Sequence, residues 1–143
     1  MHLAICSSLD FTSDIKKLAD ELTQRGHTVT IPRSAVMILN GECTLDEIAK
    51  EKQSGTFAER TIRMDAIRYY FEKIKAADAI IVLNLSKNRV DNYIGGNTFL
   101  EMGFAHVLRK KIFLYNPIPD ASYRDEIVGM QPIILHHNLN NIQ

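Results

Sequence analysis

Neither sign of charge is in excess in this sequence: Lys and Arg number 17, Asp and Glu number 17, and the formal net charge is zero. A chain without a net positive field does not gather polyanions, so duplex nucleic acid is not an expected partner. Cysteine is nearly absent. Cys6 and Cys43 stand far apart, with no Cys-x-x-Cys pair and no patterned histidine, which speaks against a zinc site or a disulfide framework and for two buried thiols. His136-His137 lacks any third ligand. No apolar run approaches the length of a membrane span. The apolar stretch Met1 to Cys6 has no basic leader and meets Ser7, Ser8 and Asp10 too soon to read as a signal peptide. Internal repeats and low-complexity tracts are missing too. The expectation is a cytoplasmic protein with no membrane contact, no metal and no cofactor.

What the sequence does have is enough apolar material for one core. At 143 residues and 45% hydrophobic composition, residues 1–143 are expected to form a single domain. His2 to Cys6 is a short apolar run broken by Ser7-Ser8, after which Ile15, Leu18, Ala19 and Leu22 recur at helical spacing. Arg25-Gly26 supplies a stop, and His27 to Ile31 alternates in β-branched fashion up to Pro32. From Arg33 to Gly55 the pattern weakens, with a turn at Asn40-Gly41 and a helix start at Thr44-Leu45-Asp46-Glu47. One long helix is predicted from Thr56 to about Ala77, with Ile62, Ala66, Ile67, Tyr70, Phe71 and Ile74 on its apolar face. Ala79 to Leu83 is a continuous apolar run, the mark of a strand covered on both faces. A loop through Ser86 to Asn92 follows, then a turn at Tyr93 to Gly96, a helix over Asn97 to Arg109 and a strand over Lys111 to Tyr115. A short helix near Tyr123 to Met130 and the apolar Ile133-Ile134-Leu135 complete the chain. Strands alternating with helices imply right-handed crossovers: an α/β Rossmann/flavodoxin-like three-layer sandwich on a parallel sheet of about five strands.

In such open sheets ligands bind beyond the carboxyl ends of the strands, and that rule sorts the polar residues. Ser7, Ser8 and Asp10 follow the first strand, Arg33 the second, Asn84 and the loop to Gly96 the third, and Asn116 the fourth. Asp78 lies at the opposite end of its strand, where a structural role is expected. Ser7 and Ser8 have no histidine placed by sequence to activate them, so they read as turn residues that share in binding rather than as nucleophiles. Asn84 and Asn116 could close strand ends through the backbone, yet their place at the strand mouths favours a ligand role. Lys87 and Arg89 read as solvated loop charges, with a lid contacting phosphate as the alternative, and His106 as a packed core or interface residue on an apolar helix rather than a base.

The most informative segment runs from Tyr93 through Gly95, Gly96, Asn97, Thr98 and Glu101 to Ala105. Two glycines allow close approach of the backbone to a ligand, and the following helix offers free N–H groups at the same place. Glu101 is expected in the first turn of that helix, with Gly103 packing tightly on the sheet. Thr98-x-x-Glu101 also has the spacing of a capping box, in which the glutamate only returns a hydrogen bond to the backbone. Thr44-x-x-Glu47 and Thr56-x-x-Glu59 share that spacing. The residues alone leave capping and catalysis both open, capping being the commoner use.

The order of these pieces resembles a known family. An apolar strand with a Ser-Ser turn, then Lys75-Ala-Ala-Asp-Ala-Ile-Ile-Val-Leu-Asn84, then Gly-Gly-Asn-Thr-x-x-Glu101-Met-Gly-x-Ala105 and Lys111-Ile-Phe is similar to the nucleoside 2-deoxyribosyltransferase superfamily, over roughly Leu3 to Asn116. The resemblance implies that Glu101 attacks the anomeric carbon of a deoxyribosyl group, giving a glycosyl-enzyme that water or a second base resolves. Two positions depart from the pattern of the related deoxynucleoside monophosphate N-glycosidases. Asp10 stands where a phosphate-holding arginine is expected, and Tyr70 where an assisting aspartate is expected, Asp65 being the nearest carboxylate.

The expected function is therefore N-glycosidic bond cleavage or deoxyribosyl transfer on a nucleoside or nucleotide. Glu101 would be catalytic, with Ser7, Ser8, Asn84, Tyr93, Gly95, Gly96, Asn97, Thr98 and Asn116 at the ligand. The alternatives are a non-catalytic nucleotide-binding or sensing module and hydrolysis of a dinucleotide such as NAD. A homodimer or higher homo-oligomer is expected from the resemblance and from the aromatic cluster Tyr69-Tyr70-Phe71, which reads first as plain packing and next as a subunit interface.

Overall fold

The computed structural model describes residues 1–143. Five short strands, β1 (His2–Cys6), β2 (Thr28–Thr30), β3 (Ala79–Val82), β4 (Lys111–Leu114) and β5 (Ile133–Ile134), form one sheet in the order β2-β1-β3-β4-β5. Every pair is parallel, with Leu3 beside Ala79 and Ala79 beside Lys111. This is the doubly wound order whose switch point lies between β1 and β3.

The two-residue period of the strands deals their side chains to two separate cores. Leu3, Ile5, Ala79, Ile81 and Phe113 point to one face, where they meet Ile15, Leu18 and Leu22 of α1 (Thr12–Gln24). Ala4, Cys6, Ile80, Val82, Ile112 and Leu114 point to the other. There they meet Tyr70 and Ile74 of α5 (Ala66–Ala76), Met102 and Ala105 of α6 (Gly96–Val107) and Ile127 of α7 (Arg124–Gly129). All four residues of β3 are buried, as a central strand covered on both faces requires. The result is the three-layer α/β sandwich that the alternation of strands and helices predicts. No helix is long and apolar enough to cross a membrane.

The crossover from β2 to β3 departs from the expected single long helix. It consists of α2 (Arg33–Leu39), α3 (Leu45–Ser54), α4 (Phe57–Arg63) and then α5. Asp65 breaks the chain between the last two by adopting a left-handed backbone, φ 45° and ψ 44°. Ile62, counted above on the core face, is 78% exposed, and α4 buries no residue at all. The apolar period runs through the break, so it cannot reveal it. A two-pronged ion pair, Arg60 Nε and Nη2 to the Glu51 carboxylate at 2.6 Å each, ties α4 to α3. Thr44 and Glu47 do form a reciprocal capping box on α3, whereas Thr56 caps nothing with its side chain.

Asp78 accepts a hydrogen bond from the His2 amide at 2.7 Å, the structural role expected at the amino edge of the sheet.

Candidate active site

A cavity of about 300 Å³ opens at the carboxyl ends of β1 and β3, beside the switch point. Ser7 and Ser8 enter it from β1, Pro32 and Arg33 from β2, and the loop from Lys87 to Gly95 from β3. The start of α6 closes it through Gly96, Asn97, Thr98 and Glu101, and the opposite wall is built by α3, α4 and the first half of α5.

α6 begins one turn earlier than a capping role for Glu101 requires. Its N-cap is Gly95, whose carbonyl accepts the first intrahelical hydrogen bond from Phe99 at 2.9 Å, and no side chain caps it. Thr98 is therefore the third residue inside the helix and Glu101 the sixth, in the second turn rather than the first. The capping-box reading of Thr98 and Glu101 falls on this geometry. Glu101 instead turns inward to the cavity, 5% exposed.

The carboxyl has few partners there. Asn97, four residues earlier, donates its amide to Glu101 Oε1 at 3.0 Å. Burial pushes the Glu101 carboxyl up to about 8, against the smaller pull of hydrogen bonds from Cys6 and Asn97. In turn burial and the adjoining carboxyl raise the Cys6 thiol. A carboxyl in that state favours its neutral form at pH 7. It ionises cheaply only when positive charge develops beside it, the circumstance that favours a transition state over a ground state.

The two glycines of the loop serve different ends. A Cβ on Gly95 would lie 2.9 Å from the Tyr93 hydroxyl, so the missing side chain lets the Tyr93 ring fold back along the loop. A Cβ on Gly96 would meet nothing, because that position faces the open cavity. Gly103 likewise has open space where a Cβ would stand, which corrects the expectation that it packs tightly on the sheet.

The hydroxyl of Ser7 donates to the Leu83 carbonyl at 2.7 Å, knitting the ends of β1 and β3. Ser8 accepts from Lys87 Nζ at 3.1 Å, and the same ammonium pairs with Asp10 at 2.5 Å and lies 4.9 Å over the Tyr93 ring. Lys87 is thus no free loop charge. It supplies from the facing loop a cation beside Asp10. Arg89 remains exposed, as read.

Asn84 and Asn116 stand at the strand mouths but do not line the cavity, which corrects the ligand-facing placement expected for them. The Asn84 amide donates to the carbonyls of Asn116 and Pro117 at 3.1 and 3.0 Å, and its oxygen accepts from the Asn116 N–H at 2.8 Å. Asn116 Nδ2 returns a bond to the Asn84 carbonyl at 3.1 Å. These amides are spent on holding β3 and β4 together. His106 is exposed rather than packed.

Tyr70 also differs from its reading as plain packing. Its hydroxyl donates to the Ile5 carbonyl at the end of β1, and its ring lines the cavity. Burial, and after it the nearby Cys6 and Glu101, raise its phenol well above the usual range. Asp65 pairs with Arg68 at 3.0 Å on the surface and takes no part in the cavity. Sequence reasoning missed Lys52, Phe57, Arg60, Thr61, Met64 and Tyr69, all on the α3 to α5 wall. No periodicity announces them, because the wall depends on the break at Asp65.

No family model matches the chain, and no curated protein matches its sequence. Among solved structures, the chain is similar to the Clostridium botulinum CMP N-glycosidase BcmB, with a TM-score of 0.48 and 16% identity, over 94% of this chain and 84% of that one.

Proposed function

We propose that this protein cleaves the N-glycosidic bond of a nucleoside or nucleotide, with Glu101 as the nucleophile. The observation that carries the reading is the buried Glu101 carboxyl, aimed into a ligand-sized cavity at the switch point and steadied by one amide donor from Asn97. In this reading a Glu101 carboxylate oxygen forms a bond to the anomeric carbon as the carbon–nitrogen bond breaks. The base leaves with the bonding electron pair and takes up a proton. Water then attacks the same carbon, loses its proton, and releases the sugar and the free carboxylate. A second base in place of water would give transfer. Splitting one hard displacement in two through an oxocarbenium-like transition state is the logic of retaining glycosidases. A desolvated carboxylate suits that transition state, since it faces positive charge only as the bond breaks.

A second reading has an observation in its favour. A carboxyl held neutral at pH 7 is a hydrogen-bond donor and a poor nucleophile, which fits a protein that binds a nucleotide without turning it over. The dinucleotide alternative has less support, because a cavity of about 300 Å³ lies at the small end of ligand pockets. The test is a screen of nucleosides and nucleotides for release of free base. Release from one of them supports the first reading; tight binding with no release from any supports the second.

A further inference from the structure

Four cationic side chains reach the cavity: Arg33 from the start of α2, Lys52 from α3, Arg60 from α4 and Lys87 from the loop after β3. Two are already neutralised, Arg60 by Glu51 at 2.6 Å and Lys87 by Asp10 at 2.5 Å. Arg33 and Lys52 form neither an ion pair nor a side-chain hydrogen bond. Each lies instead on an aromatic ring, the Arg33 guanidinium 5.3 Å from the centre of Tyr69 and the Lys52 ammonium 5.1 Å from that of Phe57.

The lining has one acidic side chain, Glu101. Neither Arg33 nor Lys52 has a carboxylate within ion-pair distance, so the cavity wall keeps two unpaired positive charges in a chain whose net charge is zero. Both residues are exposed at the rim of the cavity, where five guanidinium N–H donors and an ammonium are free of protein hydrogen-bond partners. Partial burial and, after it, the charge of Lys87, only partly offset by Asp10, hold the Lys52 amine below its usual range, a penalty that an anion would relieve.

We propose that Arg33 and Lys52 form an anion subsite on the α2–α3 wall, which takes the phosphate of a nucleotide and makes the ligand a nucleotide rather than a free nucleoside. This rests on the proposed function only for the nucleoside half of the ligand. The guanidinium supplies a planar fork matched to two phosphate oxygens, and the ammonium a point charge. The subsite lies on the crossover helices and not on the glycine loop, so Gly96 and Glu101 are left to the sugar.

The test reads binding, so that its failure is separate from failure of the catalytic reading. Calorimetric titrations on Glu101→Gln protein, which cannot form the glycosyl ester, compare the common ribo- and deoxyribonucleoside 5′-monophosphates with their parent nucleosides. Variants Arg33→Met and Lys52→Met keep the apolar stems on Tyr69 and Phe57 and remove only the charges. The expected result is a monophosphate bound tighter than its nucleoside by about tenfold or more. Each variant should shrink that ratio, and the double variant should abolish it while its thermal midpoint stays at the parent's. Three results would each overturn the subsite: no monophosphate binds, nucleoside and monophosphate bind equally, or the preference survives in the folded double variant.

Discussion

Asn97 and Glu101 stand one turn apart on α6, and the amide of the first donates to the carboxyl of the second at 3.0 Å. With the Cys6 thiol, this amide opposes the burial that has driven the carboxyl up to about 8. A donor stabilises the ionised form, so its removal must push the carboxyl higher still. If base release needs the ionised carboxylate, kcat/KM rises with pH through about 8. In Asn97→Ala the midpoint moves up, and the rate at pH 7 falls on the order of tenfold, since bonds to charged groups are worth about 1.5–3 kcal/mol. A pH–rate profile that stays put in the variant would contradict the role given to Asn97.

The same carboxyl makes stability depend on pH. Its folded-state pKa, about 8, lies above the ordinary 4.5, so the folded protein holds a proton that the unfolded chain has released. That stabilisation is complete below 4.5 and is lost as pH rises towards 8. Glu101→Gln carries no such proton. The variant should therefore gain on wild type as pH is raised across that window, by several kcal/mol at most. Denaturant titrations of both proteins at several pH values measure it, and a constant difference would mean that the carboxyl is not held neutral.

Asn84 offers a test of structure against binding. Its buried side chain joins β3 to the turn after β4, and Asn84→Ala would leave the Asn116 N–H and two carbonyls without their partner. A loss of about 3 kcal/mol in unfolding free energy is expected, with KM for a cleaved substrate unchanged. A raised KM at unaltered stability would return Asn84 to the ligand.

α6 is apolar on more than its buried side. Met102 and Ala105 are fully buried in the core, yet Leu100 is 40% and Val107 80% exposed on the outer face. A helix apolar all round is normally covered. We propose that a second copy of the chain covers it, in a homodimer or higher homo-oligomer. Sedimentation at micromolar concentration should show that species, and Val107→Glu should shift it to monomer; a wild-type monomer would contradict the proposal.

How much of this was legible in sequence differs between the two sides of the cavity. β3 and α6 announce themselves, because Ala79 to Leu83 is apolar without a break and the Gly95-Gly96 turn stands directly before a helical period. That position singles out Glu101 but leaves capping and catalysis both open, and it does not reveal the turn of the helix Glu101 occupies, since Gly95 rather than Thr98 is the cap. The start of α3 is legible at Thr44 to Glu47, but the wall it builds with α4 is not. It exists because Asp65 adopts a left-handed backbone and because Arg60 reaches Glu51 nine residues back, and neither leaves a periodic trace. Asn84 and Asn116 mislead for another reason. A polar side chain at a strand mouth looks the same whether its amide faces a ligand or a neighbouring strand.

The central claim is that Glu101 attacks the sugar, and the measurement that tests it most directly is base release by wild type and by Glu101→Gln on the same substrate. Glutamine keeps the shape of the carboxyl and can still take the bond from Asn97, but it forms no glycosyl ester. The account predicts that release falls to background in the variant, while the fold and the affinity for the ligand are kept. Release at a rate comparable to wild type would show that Glu101 is not the nucleophile.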